Sequence, residues 1–139
     1  MNEKLSRFIA ATRAEFDYLI DEGLEIPEKG IVANSLYGVV GYFGKNVCIS
    51  FSYNLRERCT DCYVGKVING EKRVNRKKGG YWAPLLAYIR ESRGISNPIL
   101  KIERSTKLEF PELRQFKMIL NEYGEMLLKD KDDAFTSVS

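Results

Sequence analysis

The chain has no histidine, and its 139 residues include only three cysteines, Cys48, Cys59 and Cys62. Imidazole is the side chain that accepts a proton or binds a metal as a neutral donor near pH 7, so its absence excludes Ser-His and Cys-His nucleophile pairs and most Zn²⁺ sites. Three thiols do not close a four-ligand metal site by themselves. No glycine-rich phosphate loop or paired-carboxylate motif fills the gap, and neither metal nor cofactor is expected. Long apolar runs are also missing: stretches such as Gly38 to Phe43 fall far below the ~20 residues of a membrane-spanning helix. The first residues, Met1 to Arg7, enter an amphipathic pattern broken by charges rather than the apolar core of a signal peptide. The expected setting is therefore the cytoplasm, with no membrane contact. The odd cysteine count points to reduced thiols.

What is present is the composition of a folded globular chain. An apolar fraction of 44% with 29% charged residues argues against disorder. The length suits one domain over residues 1–139, large enough to bury roughly two-thirds of its unfolded surface.

Leu5, Phe8, Ile9, Thr12, Phe16, Leu19 and Ile20 recur at three- and four-residue intervals, which predicts a helix over about 3–22 with one buried stripe. Gly23 and Pro27 end it. The period then becomes two: Val47, Ile49, Phe51 and Tyr53 alternate with Cys48, Ser50, Ser52 and Asn54, as in a strand with one buried face. A strand over Leu36 to Phe43 joins it through Gly44-Lys45-Asn46, and a third over about Thr60 to Ile68 ends at Asn69-Gly70, a strong hairpin signal. Helical spacing resumes at Trp82 and stops at Gly94. A last helix opens at Pro111 and carries Leu113, Phe116, Ile119, Leu120, Tyr123 and Leu127. Residues 97–110 fit a short strand or an extended arm equally well, and 129–139 reads as a frayed polar tail. The fold class is α+β: an antiparallel β-meander of three to five strands packed against N- and C-terminal helices.

Three constellations invite a chemical reading. Cys59-Thr60-Asp61-Cys62 has the spacing of zinc knuckles and thiol oxidoreductases, but it enters a strand instead of a helix N-terminus, and partly buried thiols are the expectation. Lys66, Lys72, Arg73, Arg76, Lys77 and Lys78 face only Glu71 as a counter-charge, with Tyr81 and Trp82 directly after. Such a segment contacts phosphates and stacks bases, or else is a solvated hairpin tip. A net charge of only +3 does not extend this into a broad nucleic-acid footprint. Glu15, Asp17, Asp21, Glu22, Glu25 and Glu28 crowd the end of the first helix, where acidic groups oppose the macrodipole. A basic partner, the chain's own basic loop, or plain solvation accounts for them.

Tyr42-Phe43-Gly44-Lys45-Asn46-Val47-Cys48-Ile49-Ser50-Phe51-Ser52-Tyr53-Asn54, leading toward Tyr88-Ile89-Arg90-Glu91-Ser92-Arg93-Gly94-Ile95 in the order helix, meander, helix, helix, resembles small bacterial immunity proteins of polymorphic or contact-dependent toxin systems. That resemblance implies a cytoplasmic protein that binds one cognate toxin domain and blocks its active site or an essential surface. Nuclease-neutralising partners are commonly acidic, whereas this chain is mildly basic, so the toxin class stays open. The expected function is stoichiometric protein binding, with Asp17, Asp21, Glu22, Glu25, Arg73, Arg76, Lys77, Lys78, Tyr81 and Trp82 as partner-binding candidates. The rival is a nucleic-acid-binding accessory protein using segment 72–82. A third reading is an enzyme working through carboxylates or a thiol.

Overall fold

The structure, a computed structural model, describes residues 2–96 and 108–138. Helix α1 (Glu3–Phe16) starts where the Asn2 side chain accepts the N–H groups of Lys4 and Leu5, and it buries Leu5, Phe8, Thr12 and Phe16. The expected single helix breaks at Asp17, where the Ile20 N–H bonds to the Asp17 carbonyl three residues back, and a one-turn α2 (Tyr18–Asp21) follows. That tightened turn shifts the phase of the stripe. Leu19 stays buried while Ile20, expected inside, is 44% exposed.

Strands β1 (Ile31–Ala33), β2 (Tyr37–Phe43), β3 (Val47–Asn54), β4 (Cys59–Ile68) and β5 (Glu71–Arg73) form an antiparallel meander in that order. A sixth strand, β6 (Trp82–Pro84), pairs with β4 on the same edge as β5. Asn69 and Gly70 both have positive φ, 53° and 80°, as a two-residue turn matching the right-handed strand twist requires. The α+β meander is thus as expected, with β1 and β6 added. Trp82 does not begin a helix: residues 82–84 pair with Gly65, Val64 and Tyr63, and α3 (Leu85–Arg93) starts only after Pro84.

Helix α1 lies over β2 and β3, and α3 and α4 (Pro111–Tyr123) lie over β4, all on one face. The two-residue alternation therefore decides which side chains enter the core. Val40, Tyr42, Val47, Ile49, Phe51, Tyr53, Cys62 and Val64 point toward the helices and are buried. The Phe16 and Phe51 rings stack at 4.0 Å, and Phe8, Tyr53 and Phe110 form an edge-to-face cluster beside them.

The expectation of a frayed tail from Lys129 is overturned. After α5 (Glu125–Leu128), Asp130 turns the chain with a φ of +48°, and its carboxylate accepts the backbone N–H groups of Lys45, Asn46 and Val47 at 2.6–3.0 Å. Ala134, Phe135 and Val138 are buried beyond it, Phe135 against Tyr81 and Tyr88, and the Tyr88 hydroxyl donates to the Ala134 carbonyl. These apolar residues are irregularly spaced, which hides their packing from a periodicity reading. The ambiguous residues 97–107 lie outside the described residues.

Candidate binding face

With the helices on one side, the other face of the sheet carries the alternate set: Val39, Gly41 and Phe43 from β2, Cys48, Ser50 and Ser52 from β3, and Asp61, Tyr63 and Gly65 from β4. A sheet face turned to plain water ordinarily carries charged and large polar side chains. Here the whole run from Leu36 to Asn54 has one charge, Lys45, and that residue sits in the turn.

Across β4 this face is built by a ladder of three side chains. Gly65 stands directly opposite Trp82, and a Cβ on residue 65 would lie 2.6 Å from the indole Cε3, so only glycine lets the indole lie flat on the strand. Tyr63 stacks on Trp82 at 5.4 Å with the planes 5° apart. The Lys72 ammonium sits 4.7 Å from the indole centroid. Cys48 is sealed beneath this ladder, and burial pushes its thiol up to about 12 despite the nearby Lys72 charge.

The small residues Gly41, Ser50 and Ser52 make the middle of the face concave. Two adjoining hollows of about 580 and 320 Å³ share Tyr37, Val39, Ser50 and Lys72, and together they form one groove along β2 and β3. Segment 27–30, Val32 and Tyr37 wall one side, and Tyr63, Trp82 and Lys72 the other. Val32 and Tyr37 are each 41% exposed and form the apolar part of a wall that also carries Glu28 and Lys29.

The C-x-x-C pair does not act as a unit. Positions 59 and 62 of one strand differ by an odd number, so Cys59 lies on the groove face and Cys62 in the core. Two sulfurs on opposite faces do not converge on one ion or on each other. Burial, then Asp61 and Glu57, push the Cys59 thiol up, and burial holds Cys62 well above the ordinary range. Both thiols are thus shifted away from the lowered pKa that an activated cysteine has.

The charged candidates separate into two groups on opposite edges of the sheet. On the β1 side, Asp21, Glu22 and Glu25 are exposed and make no ion pair among the described residues. The Glu25 backbone is anchored there through its bridge to Phe43. Asp17 is engaged internally: it pairs with Arg13 at 3.2 Å and accepts the Tyr42 hydroxyl at 2.8 Å. Glu15 likewise pairs with Arg114 and Lys117. On the β5 side, Arg73, Lys77 and Lys78 are exposed, and Arg73 stands opposite another cation, Lys66. Arg76 is tied to Glu91 at 3.3 Å with its guanidinium 4.5 Å from the Tyr81 ring centre. Tyr81 is only 1% exposed. The basic segment does not fold over the acidic one, and Tyr81 belongs to the core; Trp82 and Lys72 reach the groove.

Val39 and Ser50 belong to no motif, whereas Tyr37 and Tyr63 are part of an aromatic-rich stretch running from Tyr37 to Tyr88. The signal that marks Val39 and Ser50 is the uncharged outer face of β2 and β3. No helix among the described residues is long and apolar enough to cross a membrane, and no group of three or more acidic or cysteine side chains among them is placed to hold a metal ion. No protein-family model, curated protein or solved structure matches the chain.

Proposed function

We propose that this chain is a stoichiometric protein-binding protein whose partner covers the groove face of the sheet, and that the partner is a bacterial toxin domain it neutralises in the cytoplasm, as the resemblance to immunity proteins implies. The observation that carries the reading is the concave sheet face, whose β2 and β3 side chains are uncharged and whose walls hold Val32, Tyr37, Tyr63 and Trp82, with charged groups around it. Stable protein interfaces have this layout, an apolar centre inside a polar rim, over about 800 Å² per partner. Neutralisation then needs no chemistry: a tightly seated partner occludes the toxin's working surface. The nucleic-acid alternative is less well supported, because Trp82 already contacts Tyr63 and Lys72 and Tyr81 is buried, which leaves little aromatic surface on segment 72–82 for bases to stack on.

The test is co-purification with the product of the adjacent gene, which on this reading encodes the toxin domain, and protection of cells from it. A one-to-one complex is expected. Val39→Glu, which sets a charge on the groove floor away from the core, should abolish both complex and protection while the variant stays folded. Retention of both by that variant would move the interface elsewhere. Binding to an oligonucleotide that falls steeply with salt, without any complex with the toxin domain, would give the case to the nucleic-acid reading.

A further inference from the structure

Resting on the protein-binding reading, we infer that the groove takes an extended segment of the partner bearing a carboxylate and a cation four residues apart, with a small polar residue between them. Three features of the groove carry this.

The first is Ser50. It is more than nine-tenths buried, lines both hollows, and its hydroxyl has no hydrogen-bond partner among the described residues. That hydroxyl opens into the groove, since the one buried unpaired side-chain oxygen among the described residues is that of Thr60, and it offers a donor and an acceptor to a polar group of the partner.

The second is Lys72, whose ammonium overlies Trp82 at the level of Gly65 and Cys48 and has no carboxylate within ion-pair distance among the described residues. A cation held over an apolar surface selects an anion.

The third is the opposite charge at the other end. Glu57 and Asp61 line the groove there, and no cation among the described residues pairs with either; their neighbour is the Cys59 thiol, at 3.8 and 3.6 Å. Asp61 stands opposite Ser52, four positions along β3 from Cys48. At about 3.3 Å per residue the two charged levels lie roughly 13 Å apart. In an extended segment, residues i and i+4 project to the same side at that same separation, and i+2 falls over Ser50. The arrangement thus reads carboxylate, small polar, cation. The acidic end also disfavours a polyphosphate backbone running the length of the groove.

Trp82 is the only tryptophan in the chain, so its emission reports on the groove alone. The probe is the peptide acetyl-Glu-Val-Ser-Val-Lys-amide, whose β-branched residues favour the extended form. Titration to millimolar concentration should shift the Trp82 emission saturably, and replacing the peptide's Glu or its Lys by Gln should each weaken binding about tenfold. Lys72→Gln should erase the discrimination at the peptide's Glu alone, and Glu57→Gln with Asp61→Asn the discrimination at its Lys alone. Absence of a saturable shift, equal binding of all three peptides, or tighter binding of an oligothymidylate would overturn the inference. If the toxin domain still binds a Lys72→Gln, Asp61→Asn double variant as it binds the parent, the inference falls and the protein-binding reading stands. If the parent binds no toxin domain, that reading falls on its own.

Discussion

Cys59 and Cys62 stand on opposite faces of β4, one beside Glu57 and Asp61 on the groove rim and the other in the core against the helices. Cys48 is fully buried under the Trp82 ladder. Under native conditions only Cys59 should react with a thiol reagent on the minutes scale. Its neighbouring carboxylates and raised pKa should hold it below the rate of a free cysteine. Titration with Ellman's reagent, before and after adding denaturant, should give one thiol and then three. Two thiols in the native protein, or a Cys59–Cys62 disulfide after mild oxidation, would contradict the strand register.

Alkali should destabilise the fold. The Cys48 thiol ionises near 9 when unfolded but is held up to about 12 by burial, and burial likewise lifts Tyr18, aided by Glu22, from 10 to about 12. Above pH 9 the unfolded chain gives up protons the folded chain retains, so stability falls as pH rises, by about 1.4 kcal/mol per pH unit for each group titrating in this way. Below pH 8 these groups contribute no slope. Urea midpoints under reducing conditions at pH 8, 9.5 and 11 should decline in that order, and Cys48→Ala should make the decline shallower.

Asp130 closes the β2–β3 turn from the far end of the chain. Removing its carboxylate strips charge-assisted partners from three backbone N–H groups, so Asp130→Ala should cost about 2–3 kcal/mol. Asp130→Asn should fall between the two, keeping an acceptor without the charge. Equal urea midpoints for parent and Asp130→Ala would show that water replaces the carboxylate without loss.

The two charged edges should affect encounter more than residence. Reversing Asp21, Glu22 and Glu25 to Lys, or Arg73, Lys77 and Lys78 to Glu, touches no ion pair among the described residues, so stability should change by less than about 0.5 kcal/mol per site. Association with the toxin domain should slow at low salt for at least one variant, with a smaller change in dissociation. Arg76→Glu serves as the contrast: it breaks the Glu91 pair and the contact with Tyr81, and should destabilise the fold itself. Unchanged association for both triple variants would place the rim elsewhere.

The register of β3 was legible because Val47, Ile49, Phe51 and Tyr53 alternate without interruption, and the β4–β5 turn because Asn69-Gly70 admits few other conformations. The break at Asp17 was not legible: it turns on the Tyr42 hydroxyl and on Arg13, and nothing local foretells the first of these. Trp82 read as helical since Leu85, Leu86 and Ile89 follow it at helical spacing, whereas its strand pairing comes from a tertiary neighbour, Gly65. β1 is three residues long and too short to display a period. Of the groove, Lys72 and Trp82 were visible as a charge beside an aromatic. Val39 and Ser50 become visible only once the near-absence of charge across residues 36–54 is treated as a signal, and Tyr63 only through its stacking on Trp82.

Residue 130 is translated 85 positions after Lys45, whose N–H it receives. At roughly 5–20 residues per second, the ribosome needs about 4–17 s to supply that carboxylate after the turn has been made. For that interval the nascent β2–β3 hairpin has only water on its turn amides. Nascent-chain arrest before residue 130 would leave the same loop unlatched, and it is there that a protease or chaperone meeting the growing polypeptide would find it open.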